Sequence, residues 1–96
     1  MPVYVQLVNW TERGAAAAKQ TVQRARRVES QAKKLKIRVR EIIWTMGRYD
    51  AVAIFEAPND EAATRFALWV STQGAARTET LRGYTAGEFA RIVAGL

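Results

Sequence analysis

The 96-residue chain predicts an α+β fold in the order strand–helix–strand–strand–helix–strand, followed by a short helix. Three observations carry that expectation. A glycine-containing break, Met46-Gly47-Arg48-Tyr49-Asp50, separates two apolar runs that both read as strands, Ile37–Trp44 and Ala51–Phe55, and so marks a central hairpin. On each side of the hairpin lie one strand-like run and one stretch of helical period. The third strand is apolar on both faces, so the sheet has a second face to bury.

Each element has its own justification. Val3–Trp10 is rich in β-branched and aromatic residues and reads as the first strand. Thr11-Glu12-Arg13-Gly14 then breaks the pattern. From about Ala15 to Leu35 the residues Ala18, Val22, Ala25, Val28, Ala32 and Leu35 recur at helical spacing, which predicts one long amphipathic helix. Its alanine-rich start leaves little bulk and permits close packing on the sheet. Ile37–Met46 and Ala51–Ala57 follow as the second and third strands. A two-residue turn at Gly47-Arg48 pairs Met46 with Tyr49, Trp44 with Ala51 and Ile42 with Ala53. One face of the hairpin then sets large residues against small ones, and the other carries Ile43, Val52 and Ile54. Pro58-Asn59-Asp60-Glu61 starts a helix with the inner stripe Ala63, Phe66, Ala67 and Val70, stopped at Gly74. Arg77–Gly83 has the mixed polarity of an edge strand. Thr85-Ala86-Gly87-Glu88 has the spacing of a capping box and opens the last helix through Phe89, Ile92 and Val93.

This order is the split βαβ, ferredoxin-like arrangement with a four-stranded antiparallel sheet. Two such sheets meeting across a two-fold axis bury their second faces as a dimeric α/β barrel, so a homodimer or higher oligomer is expected.

Composition narrows the function. Residues 1–96 make one domain. Cysteine and histidine are both absent, which excludes disulfides, thiolate chemistry, the commonest general base and the usual zinc ligand. No metal and no cofactor are expected, and no catalytic residue is assigned. No apolar run approaches the roughly 20 residues of a membrane span. No signal peptide is evident, so a cytoplasmic protein without membrane partners is the expectation.

The net charge of +6 is unevenly placed. Eight of the fifteen basic residues lie between Arg24 and Arg40 against one acid, Glu29, so that segment carries +7 and the rest of the chain −1. An RNA-binding sheet of this topology stacks bases on third-strand aromatics. Ala51-Val52-Ala53-Ile54-Phe55 lacks the paired aromatics, so the basic stretch reads as a solvated helix face and no specific nucleic acid is expected.

Gly47-x-Tyr49-Asp50 entering a Val/Ile/Phe strand resembles the signature of the GYD-domain family. The likeness extends through Glu56-Ala57-Pro58-Asn59-Asp60-Glu61 and Arg77-Thr78-Glu79-Thr80-Leu81-Arg82 to nearly the whole chain. It implies a small bacterial protein of the dimeric α/β-barrel type and supplies no catalytic residues. Thr45-x-Gly47-x-Tyr49-Asp50 is also similar to the hairpin of effector-binding domains in Lrp/AsnC-type regulators, which implies a stand-alone module binding an amino-acid-like ligand.

Two places suit a ligand. Tyr49 and Asp50 present a phenol and a carboxylate at the hairpin. Their structural alternative is that Asp50 accepts turn N–H groups while Tyr49 packs on Met46. Between sheet and helices, Ala15–Ala18 leave room for an apolar pocket lined by Tyr4, Gln6, Trp10 or Trp44, although ordinary core packing accounts for Trp44 as well. The candidate ligand-binding residues are therefore Tyr4, Trp10, Trp44, Tyr49 and Asp50. Leu68 and Trp69, off the inner stripe of their helix, suit either an oligomer interface or packing beneath the last helix. Three functions follow. The first is a homo-oligomeric module for a small apolar or amino-acid-like ligand. The second is a cofactor-free oxygenase- or isomerase-like enzyme on a small aromatic substrate, with Glu41, Asp50 and Glu79 as acid–base groups and Tyr4 or Tyr49 as donors. The third is a purely structural assembly protein.

Overall fold

The computed structural model describes all residues from Met1 to Leu96. The elements are β1 (Val3–Trp10), α1 (Glu12–Ala16), α2 (Thr21–Lys34), β2 (Arg38–Trp44), β3 (Ala51–Glu56), α3 (Asp60–Thr72), β4 (Ala76–Gly83) and α4 (Ala86–Ala94), with a 3-10 turn at Ala18–Gln20. The sheet is antiparallel in the order β2-β3-β1-β4, the ferredoxin-like order. Both strands nearest the chain's start and middle, β1 and β3, are therefore central. β4 is an edge strand, as its polarity indicated.

The long first helix of the sequence reading is broken in two. Thr11 does not interrupt the chain but caps α1: its hydroxyl accepts the Gly14 N–H at 3.2 Å and donates to Gly74 O at 2.7 Å. Gly14 is buried against the loop before β4, where an added Cβ would lie 2.0 Å from the Ala75 carbonyl oxygen. At Ala17 the backbone leaves helical geometry. Arg24 then donates to the carbonyls of Ala17 and Gly14, so the break in the helix leaves acceptors that a side chain satisfies.

Two strand boundaries also move inward. Ile37 belongs to the end of α2, because its N–H donates to Ala32 O at 2.8 Å and the Lys36 N–H to Lys33 O at 3.1 Å. This is a Schellman closure with Lys36 at φ 60, a position that glycine normally fills. β2 then bulges between Val39 and Glu41 and pairs Ile42 with Ala53 and Trp44 with Ala51, the register expected from the hairpin. The turn is wider than the two-residue form. Thr45 N–H donates to Asp50 O at 3.0 Å, so Met46 and Tyr49 stay outside the ladder, and Met46 is 96% exposed rather than packed on Tyr49. Gly47 does take a positive φ, +100.

The core lies at one end of the sheet's helix-bearing face. Phe55 and Phe66 are fully buried and meet edge to face, with ring centroids 5.1 Å apart, and Tyr4 stacks on Phe55. Ala32, Ile37, Ala57, Ala63 and Val70 complete it. The opposite face carries Val3, Val5, Leu7, Val52 and Ile54 beside Ile43 and Leu81, the last two 47% and 45% exposed. α4 has its capping box, with Thr85 N–H donating to Glu88 and Glu88 N–H to Thr85. That first bond, with smaller help from nearby arginines, holds the Glu88 carboxyl below its ordinary value. No residue of α4 is buried, however, and Phe89, Ile92 and Val93 stand exposed. The radius of gyration, 14.2 Å, exceeds the about 12.5 Å of a compact chain this long, as a projecting last helix requires.

Candidate functional site

α2 lies over the edge strand β2 and α3 over the edge strand β4. The central strands between them are left without a helix directly above. Where β3 offers Phe55 the gap is filled by core. Where it offers only Ala51 and Ala53, a cavity of about 660 Å³ remains. That size falls in the usual range for small-molecule sites. Gln6, Val8 and Trp10 of β1 and the two alanines of β3 make its floor. Phe66, Trp69 and Val70 of α3 form one wall. α2 forms the other with Arg24, Arg27, Gln31 and Lys34, spaced along one flank of the helix. All three tryptophans of the chain line this space.

Gln6 is its most distinctive residue. The side chain is 3% exposed, and its Nε2 has no hydrogen-bond partner. Thr80, directly across the β1–β4 ladder, likewise has a buried, unpartnered Oγ1. An unpaired buried donor costs about 1–3 kcal/mol, and the group able to accept from this amide, the Thr80 hydroxyl, stands across the same ladder.

Of the predicted ligand residues, Trp10 and Trp44 lie on the cavity. Trp44 is not core: it is 39% exposed, with its indole N–H donating to Thr21 Oγ1 at 3.0 Å. A packed position is closed to it because β2 is an edge strand and α2 begins beside it. Tyr4 lies outside the cavity, within the core. Its hydroxyl donates to Asp60 Oδ1 at 2.5 Å, and burial first, then that carboxylate, push its pKa up to about 12. Asp50 supports the site from behind, accepting the Trp10 N–H at 2.9 Å while its own N–H donates to Val8 O. Its carboxylate therefore fastens β3 to β1 rather than accepting N–H groups of the turn. Tyr49 is apart from the cavity, its ring facing the Arg48 guanidinium at 5.8 Å.

Of the acid–base candidates, Glu41 and Glu79 are exposed and pair with Ile54 and Leu7 of the opposite sheet face. No carboxylate, tyrosine or histidine lines the cavity, and no three His, Cys, Asp or Glu side chains converge anywhere. Leu68 is 62% exposed, whereas Trp69 turns to the cavity instead of packing under the last helix. No helix is long and apolar enough to cross a membrane.

The sequence reading missed Arg13, Arg27, Lys34 and Gln73 as lining residues. The available signal was positional: Arg24, Arg27, Gln31 and Lys34 border the apolar stripe of α2, where a splayed neighbouring helix exposes them to a cleft. The family model described as GYD domain matches residues 4–93. No curated protein and no solved structure shows a significant match.

Proposed function

The chain belongs to the GYD-domain family, and from that premise we propose that it is a homo-oligomeric module that binds a small, largely apolar ligand in the cavity between sheet and helices. The observation that supports this reading is a cavity of about 660 Å³ bordered by all three tryptophans, with Gln6 on its floor. Apolar walls with few oriented polar groups are how small-molecule sites combine affinity with selectivity. Binding is favoured over catalysis because the lining holds no carboxylate, tyrosine or histidine, and its one amine, Lys34, is exposed. Trp10, Trp44 and Gln6 carry the site, with Asp50 holding the β1 end in place.

Intrinsic fluorescence tests this directly, since every indole of the protein borders the cavity. Titration with a panel of small aromatic and acyl compounds is expected to give a saturable change for at least one, abolished in Gln6→Leu or weakened several-fold. Native mass spectrometry of the purified protein is expected to show a discrete small-molecule adduct. Unchanged emission across the panel, together with an adduct-free mass, would overturn the reading. The uncovered sheet face favours a second role in assembly, which a ligand site between sheet and helices leaves intact.

A further inference from the structure

The charge around the cavity is one-sided. Arg13, Arg24, Arg27 and Lys34 line it, and no aspartate or glutamate does. The four ion pairs of the molecule join Arg38 and Arg40 to Glu56, Arg65 to Glu61 and Arg82 to Glu88. None of the cavity's four cations takes part in them. Arg24 spends two of its donors on backbone carbonyls, and those bonds leave its charge unneutralised.

We infer that the ligand is an organic anion, with its apolar body between the α3 wall and the Ala51–Ala53 floor and its charged head toward the basic flank of α2; this rests on the binding reading above. Three features converge on it. Four cations with no carboxylate among them give the cavity a positive potential that attracts an anion. Gln31, on the same flank of α2 as Arg27 and Lys34, adds an amide donor for the remaining acceptor atoms of the head. A zwitterionic amino acid fits poorly, because its ammonium would meet four cations and no carboxylate. The same inventory gives the basic segment a purpose other than solvation: part of it faces inward.

A matched pair of dyes separates the charge from the cavity. 1-Anilinonaphthalene-8-sulfonate and the neutral N-phenyl-1-naphthylamine share an aromatic body and differ in the anionic group. Binding is read by dye emission and by energy transfer from the tryptophans. The anionic dye is expected to bind about tenfold tighter or better, a preference that shrinks with added salt. Arg27 and Lys34 are exposed and outside every ion pair, so the double substitution Arg27→Gln/Lys34→Gln keeps the fold. It is expected to weaken the sulfonate several-fold more than the neutral dye, so that the preference between them falls. Ala53→Phe, which fills the floor, is expected to abolish binding of both and so assigns it to the cavity rather than to the open sheet face. Equal affinities, insensitive to Arg27→Gln/Lys34→Gln, would overturn the anion while the binding reading stood. Failure of both dyes to bind would overturn the binding reading itself.

Discussion

Tyr4 ties three parts of the molecule together through one ring. It stacks on Phe55 at 5.3 Å, donates to Asp60 at the start of α3, and lies under the Arg82 guanidinium of β4 at 5.7 Å. The phenol is neutral when protonated, and folding raises its pKa from 10.0 to about 12. The stability contributed by this shift is therefore complete below pH 10 and is lost as the pH rises from 10 through about 12. Tyr4→Phe keeps the ring, removes the hydrogen bond and is expected to lower stability at neutral pH by about 1–2 kcal/mol. It should also flatten the alkaline decline, measured as the difference between denaturant midpoints at about pH 8 and about pH 11. Equal alkaline losses in both proteins would show that the phenol ionises freely. At this scale the sequence named Tyr4 as important but gave it the wrong neighbours. Its partner Asp60 is 56 positions away, and no local pattern reports that distance.

Between elements, the tightest joint is the one at Gly14. Thr11 N–H donates to Ala75 O at 3.1 Å, Thr11 Oγ1 donates to Gly74 O, and Gly14 itself has no room for a methyl group. The obstructing atoms are backbone, so Gly14→Ala forces α1 away from the start of β4 and is expected to destabilise by about 3 kcal/mol. Thermal melts of Gly14→Ala and of Gly87→Ala, where a new Cβ meets nothing, provide the comparison. Similar melting temperatures would mean that the joint yields. Legibility followed the range of the forces. The hairpin pairs Trp44–Ala51 and Ile42–Ala53, the capping box of α4 and the stripe of α3 are set by residues close in sequence and were readable, although the width of the turn was not. The division of the first helix was not, because it depends on Ala75 meeting Gly14 across the molecule. The cavity was half readable for the same reason. Small alanines and nearby tryptophans suggested space, but the basic wall exists only because α2 and α3 lie over opposite edges of the sheet.

For the whole molecule, the dominant fact is a sheet with one covered face. The shortest extent, 17 Å, is that of one sheet and one layer of helices. Val5, Leu7, Val52, Ile54, Ile43 and Leu81 leave a contiguous apolar surface on the far side, of the kind monomeric proteins avoid. We therefore expect this face to pair with that of a second copy, giving an association visible by sedimentation and a melting temperature that rises with protein concentration. Ile43→Lys/Leu81→Lys is the informative variant: both side chains are nearly half exposed in the single chain, so charges there disturb pairing far more than folding. It is expected to sediment as a monomer with a concentration-independent melt. A wild-type monomer at micromolar concentration would remove the expectation. The apolar character of both faces of β3 made this face legible in the sequence, whereas the exposed stripe of α4 had no signal separating it from a buried one.

The strand order also sets a timetable. β1 is made first yet lies between β3 and β4, and the last of these starts at Ala76. A ribosome adding roughly 5–20 residues per second leaves the finished first strand roughly 3–13 s without its full complement of neighbours. During that interval α2, β3 and α3 emerge in turn around Gln6, Val8 and Trp10, and the cavity is complete only once α3 has been made.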